Sequence, residues 1–393
     1  MLKASLTGGP GTQMRGKTMG NVTRRDFFGV AGLAAATLGL GACGQGSSSS
    51  GSSTRDPVGA DSDLIDAAKA EGTLNVVGSC AEEYLAAACK HFNELYGLQV
   101  NYKHLSTADA QALVESEAGA PTHDVWFGGT TDPYNIVSDE GYLDNSYLPK
   151  NSSHLMSESY MSSNNDWFGI YKGLLGIMYN KDELDRLGID APKDWPDLLD
   201  TSCQGLIWTS NYSTSGTARL FLNTIIQTYG HDQGLNYLQQ LDKNVQVYTK
   251  AGAMPVKSLG TGEAVIAIGF LHDGIAQIED NGYENIELVA PASGVSYEIG
   301  ATAVLKGAAH PNAGKLWLEY ALSPECVELA DDNGSYQTLV IDNAHQPSQV
   351  SKHGLNPDDV MDYDFDDARE HTATYVQEIM GLIGGTDSRF QAQ

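Results

Sequence analysis

Beyond residue 72 the chain alternates between short, nearly continuous apolar runs and longer stretches whose apolar positions recur every three or four residues. The first pattern is that of strands buried on both faces, the second that of amphipathic helices. Thr73-Leu74-Asn75-Val76-Val77-Gly78 predicts a strand. Ser79, with Glu82 three residues on, carries a capping-box signature and predicts a helix that runs to Tyr96 and stops at Gly97. Residues 98–104 predict a second strand, 108–118 a helix, and Asp124-Val125-Trp126-Phe127 a third strand broken by Gly128-Gly129. A strand at 206–208, a helix over 217–229 and a buried strand over 264–270 repeat the theme. Two longer apolar stretches, 169–179 and 297–305, bracket the middle third and are the natural crossings between two lobes; 311–330 and 358–383 predict amphipathic helix. Strands and helices that alternate in this way imply an α/β fold with a parallel sheet, and ligands at the carboxyl ends of its strands.

The N-terminal region follows another pattern. Thr23-Arg24-Arg25-Asp26-Phe27-Phe28 is a twin-arginine string, and an apolar Gly- and Ala-rich stretch follows over 27–41. That stretch is shorter than the roughly 20 residues a bilayer core requires. It ends in Leu40-Gly41-Ala42-Cys43, the small-residue pattern that precedes a lipid-modified cysteine. Residues 1–42 are therefore expected to be an export signal, with 1–18 upstream of an alternative start at Met19. Cys43 is expected to carry several acyl chains, since one alone anchors marginally. The Gly/Ser-rich segment that follows, to residue 65, is expected to be a tether. The string GTQMRGKT over 11–18 matches a phosphate-loop pattern, but no apolar strand precedes it, so it is read as chance.

What remains, about 330 residues, suits two lobes better than one core. Formal charge is −27; the first 42 residues hold Lys3, Arg15, Lys17, Arg24 and Arg25 against Asp26, so without them the chain stands at −31. Such an acidic surface argues against nucleic-acid binding and against lying flat on an anionic membrane. Cys80, Cys89, Cys203 and Cys326 show no metal-ligand spacing and are expected to be buried; Cys80 and Cys89 are placed at opposite ends of one helix, too far apart to bridge.

Seven stretches in order along the chain carry a resemblance: DVWFGG (124–129), PKDWPDLL (192–199), STSGT (213–217), YTKAGAMP (248–255), GEAVIAIGFLHD (262–273), YEIG (297–300) and GSYQ (334–337). On these the chain resembles the extracellular solute-binding proteins of ABC importers, in the branch that holds ferric-iron, phosphonate, thiamine, polyamine and sugar-phosphate binders. The resemblance implies a two-lobed type II periplasmic-binding-protein fold, with a ligand cleft between lobes joined by two crossing strands. The lobes are expected at 66–172 with 300–393, and at 173–299. It further implies a monomer that delivers a small solute to permease subunits outside the cytoplasm, without a cofactor.

The residues add chemistry of their own. Thr214, Ser215, Gly216 and Thr217 follow a strand and open a helix, where free N–H groups and hydroxyls make an anion site. Ser79 with Cys80, and Thr130 with Thr131, offer two more such ends, and Lys250 is placed near enough to approach the anion. His272, Asp273 and Glu298 are candidates for sugar hydroxyls, an arrangement the resemblance implies for sugar-phosphate binders. The overall negative charge slows an anion's approach rather than abolishing its affinity, because screening over about 8–10 Å leaves contact-range dipoles in control. A sugar phosphate or phosphonate is thus the favoured ligand. Ferric iron is an alternative, although no adjacent tyrosine pair is present, and thiamine or a polyamine is another, although Trp126, Trp167 and Trp208 each sit in apolar runs. No G-x-S-x-G or H-E-x-x-H motif occurs, so no turnover is expected, a secreted phosphate-ester enzyme being the alternative outside the family.

Overall fold

A computed structural model describes residues 56–385 and 388–390. The expected export signal, Cys43, the Gly/Ser run and the phosphate-loop-like string lie outside the described residues. Helix α1 (Ser62–Glu71) leads into β1 (Thr73–Gly78), α2 (Glu82–Tyr96), β2 (Gln99–His104), α3 (Thr107–Ser116), β3 (Val125–Thr130) and α4 (Thr131–Asp139). The 13-residue β4 (Phe168–Asn180) follows, then α5 (Lys181–Leu187), β5 (Ile207–Ser210), α6 (Gly216–Tyr229), α7 (His231–Leu241) and β6 (Val245–Thr249). Next come α8 (Met254–Gly260), β7 (Ile266–Phe270), α9 (Leu271–Glu279) and β8 (Ile286–Val289). The chain returns through β9 (Tyr297–Val304), α10 (Pro311–Ala321), α11 (Pro324–Val327), β10 (Thr338–Leu339), α12 (Ser348–Lys352) and α13 (Phe365–Ile383).

The strands run in the order β2-β1-β3-β9-β4-β7-β5-β6, with β8 and β10 also on β4. β1 is parallel to β2 and β3, and β5 is parallel to β6 and β7, so each half carries its own parallel core. β4 joins them. Its first part pairs antiparallel with β9 from Phe168 to Leu174, and its second with β7 from Leu175 to Tyr179. β4 thus carries the chain from one half to the other and β9 brings it back, which is the two-lobed architecture expected. Twelve of the 13 residues of β4 are buried, which is why it reads as an apolar run interrupted only by Lys172 before Asn180 ends it. One core gathers Phe92, Phe127, Trp317 and Tyr320, the other Trp195, Phe221 and Tyr248.

Several local expectations need correction. Ser79 is not a helix cap: α2 starts at Glu82 behind Ala81, and Ser79 Oγ accepts from the indole of Trp126 at 3.2 Å. Cys80 accordingly precedes α2, while Cys89 is buried in its middle; all four described cysteines are free and buried. Gly128-Gly129 does not break β3. Both residues take positive φ (76° and 87°), and the strand runs to Thr130 through a register shift against β9. A Cβ on Gly128 would stand 2.5 Å from that of Cys80, so glycine lets the bulge press against the chain entering α2. Ser323-Pro324 interrupts the helix expected over 311–330, because proline lacks the N–H to continue it.

The tether and lobe spans differ in part from the packing. Val58 is buried and α1 begins at Ser62, so 56–65 belongs to the folded body. Helix α13 starts at Phe365, where Asp364 caps it, and its Ala368, Tyr375, Ile379 and Ile383 join the second core rather than the first. The chain therefore crosses a third time between Ile341, in the first core, and α12, whose Val350 packs with Ile275 of α9; the segment after α12 stays on the second half.

Candidate functional site

A cleft of about 730 Å³ opens between the halves, lined from both. One wall is built by helix starts at the carboxyl ends of strands. Ser106 caps α3 by accepting from Asp109 N, which sets Thr107 at its first turn. Thr130 stands at the cap position of α4, buried, with its Oγ1 lacking any hydrogen-bond partner. Ser215 caps α6 by accepting from Ala218 N at 3.4 Å and is held by Ser210 Oγ at 2.9 Å. These three starts converge. A Cβ on Gly216 would stand 2.8 Å from Thr130 Oγ1 and 3.3 Å from Thr107 Oγ1, so the first residue of α6 must be small. Gly252 packs as tightly: a Cβ there would collide with Thr217 Oγ1 and lie 3.1 Å from Ser215 Oγ. Free N–H groups, hydroxyls and positive dipole ends thus gather at one place. Lys257 is the one lysine or arginine among the lining residues.

A second group of lining residues is acidic, with His272 and Glu298 buried and Asp273 partly exposed. β7 delivers His272 and Asp273 in the first turn of α9, and β9 delivers Glu298 as it crosses. His272 Nε2 lies 3.8 Å from Asp273 Oδ1 and 3.9 Å from Glu298 Oε1. Its Nδ1 is buried without a partner and faces Gly173, where a Cβ would come within 2.8 Å. Burial lowers the imidazole to about 3 and so keeps it neutral. Burial, then the charge of Asp273, pushes the Glu298 carboxyl up. Burial likewise raises Asp273 to about 6, against the pull of Lys257. A neutral imidazole and two carboxyls, with no polar side chain closer than those distances, offer acceptors and, where protonated, donors to the hydroxyls of a ligand.

The Asp273 shift has a sign that can be checked. An acid whose folded pKa exceeds its unfolded 3.8 contributes stability that is fully present below that value and is lost as pH rises through about 6. Asp273→Asn is therefore expected to raise stability at pH 7.5, by on the order of 1–3 kcal/mol, and to do little at pH 4. Thermal melts at the two pH values check this; equal shifts at both would contradict it.

Of the residues singled out from the sequence, Ser79, Cys80, Thr130, Ser215, Gly216, Thr217, His272, Asp273 and Glu298 line the cleft. Thr131, Thr214 and Lys250 do not. Thr131 is buried in α4, Thr214 Oγ1 donates to Lys250 O at 2.9 Å, and Lys250 Nζ is paired with Asp109 at 3.3 Å. Thr107, Tyr171, Gly252, Lys257, Gln277 and Gln337 line it unannounced. Ser106-Thr107 with Asp109 was legible as a helix-start signature after a strand. Tyr171, whose hydroxyl accepts from Gly129 N at 3.1 Å, has no local signal at all.

Residues 134–371 match the model of a family described as bacterial extracellular solute-binding protein. The chain belongs to this family. It is 34% identical over 308 residues to an uncharacterized protein of Haemophilus influenzae, covering 76% of this chain and 86% of that one. The periplasmic binding protein AfuA of Actinobacillus pleuropneumoniae, solved with exogenous fructose-6-phosphate bound, shares 30% identity at a TM-score of 0.74, over 80% of this chain and 99% of AfuA. The periplasmic binding protein P5PA shares 28% at 0.74, over 79% and 99%. A ferric-binding protein and a thiamin-binding protein share the architecture at 18% and 15% identity, a likeness that bears on the fold alone. Solute-binding proteins of this family are extracytoplasmic, bind small solutes and work with ABC permeases; no described helix of this chain is long and apolar enough to cross a membrane.

Proposed function

We propose that this solute-binding protein captures a small phosphorylated solute, a sugar phosphate in the first instance, and hands it without chemical change to an ABC permease. The observation that carries the reading is the meeting of three helix starts at Thr107, Thr130 and Gly216, with the hydroxyl of Thr130 buried and unpartnered. An anion's oxygens would take up those donors. His272, Asp273 and Glu298, in the same cleft, would bind the hydroxyls of the sugar. AfuA, solved with fructose-6-phosphate, supports the same ligand class for this chain. A ferric ligand draws less support, since no group of three or more His, Cys, Asp or Glu among the described residues is placed to hold a metal. A phosphonate would use the same anion wall and differ at the acidic group. The protein is proposed to act as a monomer, exported by its twin-arginine signal and held at the membrane through acylated Cys43.

Isothermal titration of the folded domain with fructose-6-phosphate, fructose, inorganic phosphate and ferric citrate is the test. Fructose-6-phosphate is expected to bind at least about 100-fold more tightly than fructose, the weight of two or more charge-assisted contacts. Tight binding of ferric citrate with none of fructose-6-phosphate would overturn the reading.

A further inference from the structure

Arg219 lies behind the proposed anion wall, in the first turns of α6, and does not line the cleft. Its Nε donates to Tyr212 O at 3.2 Å and its Nη2 to Ser213 O at 3.0 Å, both carbonyls of the turn that leads into the Ser215 cap. Its Nη1 points the other way and reaches Gln111 Oε1 on α3 at 3.5 Å. It also feels two carboxyls of the opposite half: burial lowers its pKa, and the charges of Asp132 on α4 and Glu115 on α3 raise it. Asp132 is only 6% exposed, and Arg219 is the charge that offsets its burial. A second pair, Lys250 with Asp109, spans the same rim at 3.3 Å.

The division of donors is informative. Two carbonyls of its own turn would satisfy an arginine that served only to shape that turn. Here a remaining donor crosses to α3, and the charge acts on Asp132 of α4, the two first-half helices whose starts complete the same anion wall. The contact exists only while the halves touch; on separation, Gln111 exchanges the guanidinium for water and Asp132 loses the nearby charge.

We propose that Arg219 is a positioning residue that ties the shape of the anion-binding turn to contact between the halves, so that release of the ligand and parting of the halves are one event. The ligand side of this inference rests on the phosphate reading above. The coupling itself does not, because it acts in the empty protein too.

The test reads both. In the full chain, spin labels on α1 and α7 report the separation of the halves without ligand, and stopped flow reports release of fructose-6-phosphate. Arg219→Met is expected to lengthen the label distance and to speed release about tenfold with association little changed, as for loss of one charge-assisted hydrogen bond. Gln111→Ala leaves the turn and its carbonyl contacts intact, so it answers the question even if Arg219→Met does not fold. It is expected to lengthen the same distance and to speed release about threefold, with an unchanged melting temperature. Label distances that stay at the parent value in Gln111→Ala, with unchanged release, would overturn the coupling. Failure of the parent protein to bind fructose-6-phosphate, with label distances shifting as expected, would count against the phosphate reading alone.

Discussion

Ser215→Ala combined with Thr217→Ala is expected to weaken binding of fructose-6-phosphate by about 30- to 20,000-fold. Each hydroxyl contact to a charged oxygen in a buried site contributes about 1–3 kcal/mol, and the two act at one helix start. Removing Ser215 also removes the cap of α6 and the acceptor of the Ser210 hydroxyl. The fold should therefore lose about 0.5–2 kcal/mol as well. The separation of these effects is the useful part. Thermal melting reads the cap, and titration well below the melting temperature reads the ligand. Affinity that survives the double substitution would place the anion elsewhere in the cleft.

The second large effect lies on the crossing strands. Gly300 pairs with Tyr171 across β9 and β4, and the Tyr171 ring lies flat over it, so that a Cβ on Gly300 would collide with Cε2 and Cζ of the ring. The same tyrosine hydroxyl holds Gly129 N at 3.1 Å in the bulge of β3. Gly300→Val is expected to cost about 3 kcal/mol or more, because overpacking here has no slack on either side of a buried strand. It should also loosen the anion wall through Gly129. Tyr171→Phe, which keeps the ring and removes only the hydroxyl, should cost about 1–2 kcal/mol. Urea unfolding of the two variants distinguishes them. A Gly300→Val protein that unfolds at the parent midpoint would mean that the ring finds another place and that the packing argument fails.

Features settled by burial along one stretch were legible in the sequence. β1 falls on Thr73–Gly78, as its apolar run implies, and the two longest apolar stretches became β4 and β9. The start of α6 was legible because Ser215 and Gly216 carry a cap and a tight approach in adjacent residues. What escaped was settled by neighbours far along the chain. Ser79 has the spacing of a cap, yet the indole of Trp126 takes its hydroxyl. Lys250 looks free to meet an anion until Asp109, across the cleft, is seen to hold it. The apolar face of α13 announces a buried helix without saying which core will bury it, and Phe221, Leu238 and their neighbours decide that. His272 and Asp273 stood out because they follow a buried strand at its carboxyl end, and Glu298 joined them through the arrangement that the resemblance to sugar-phosphate binders implies.

The third crossing has a mechanical consequence. Two paired strands, β4 and β9, form an axle about which one body can swing against the other. The extra link, between Ile341 and α12, starts close to that axle, because β10 just before it pairs with Lys172 and Tyr171 of β4. A tie anchored so near the pivot barely lengthens when the bodies swing, but it stretches at once if they slide or shear. Such a tie favours a rotation that opens the mouth over sliding of one body along the other.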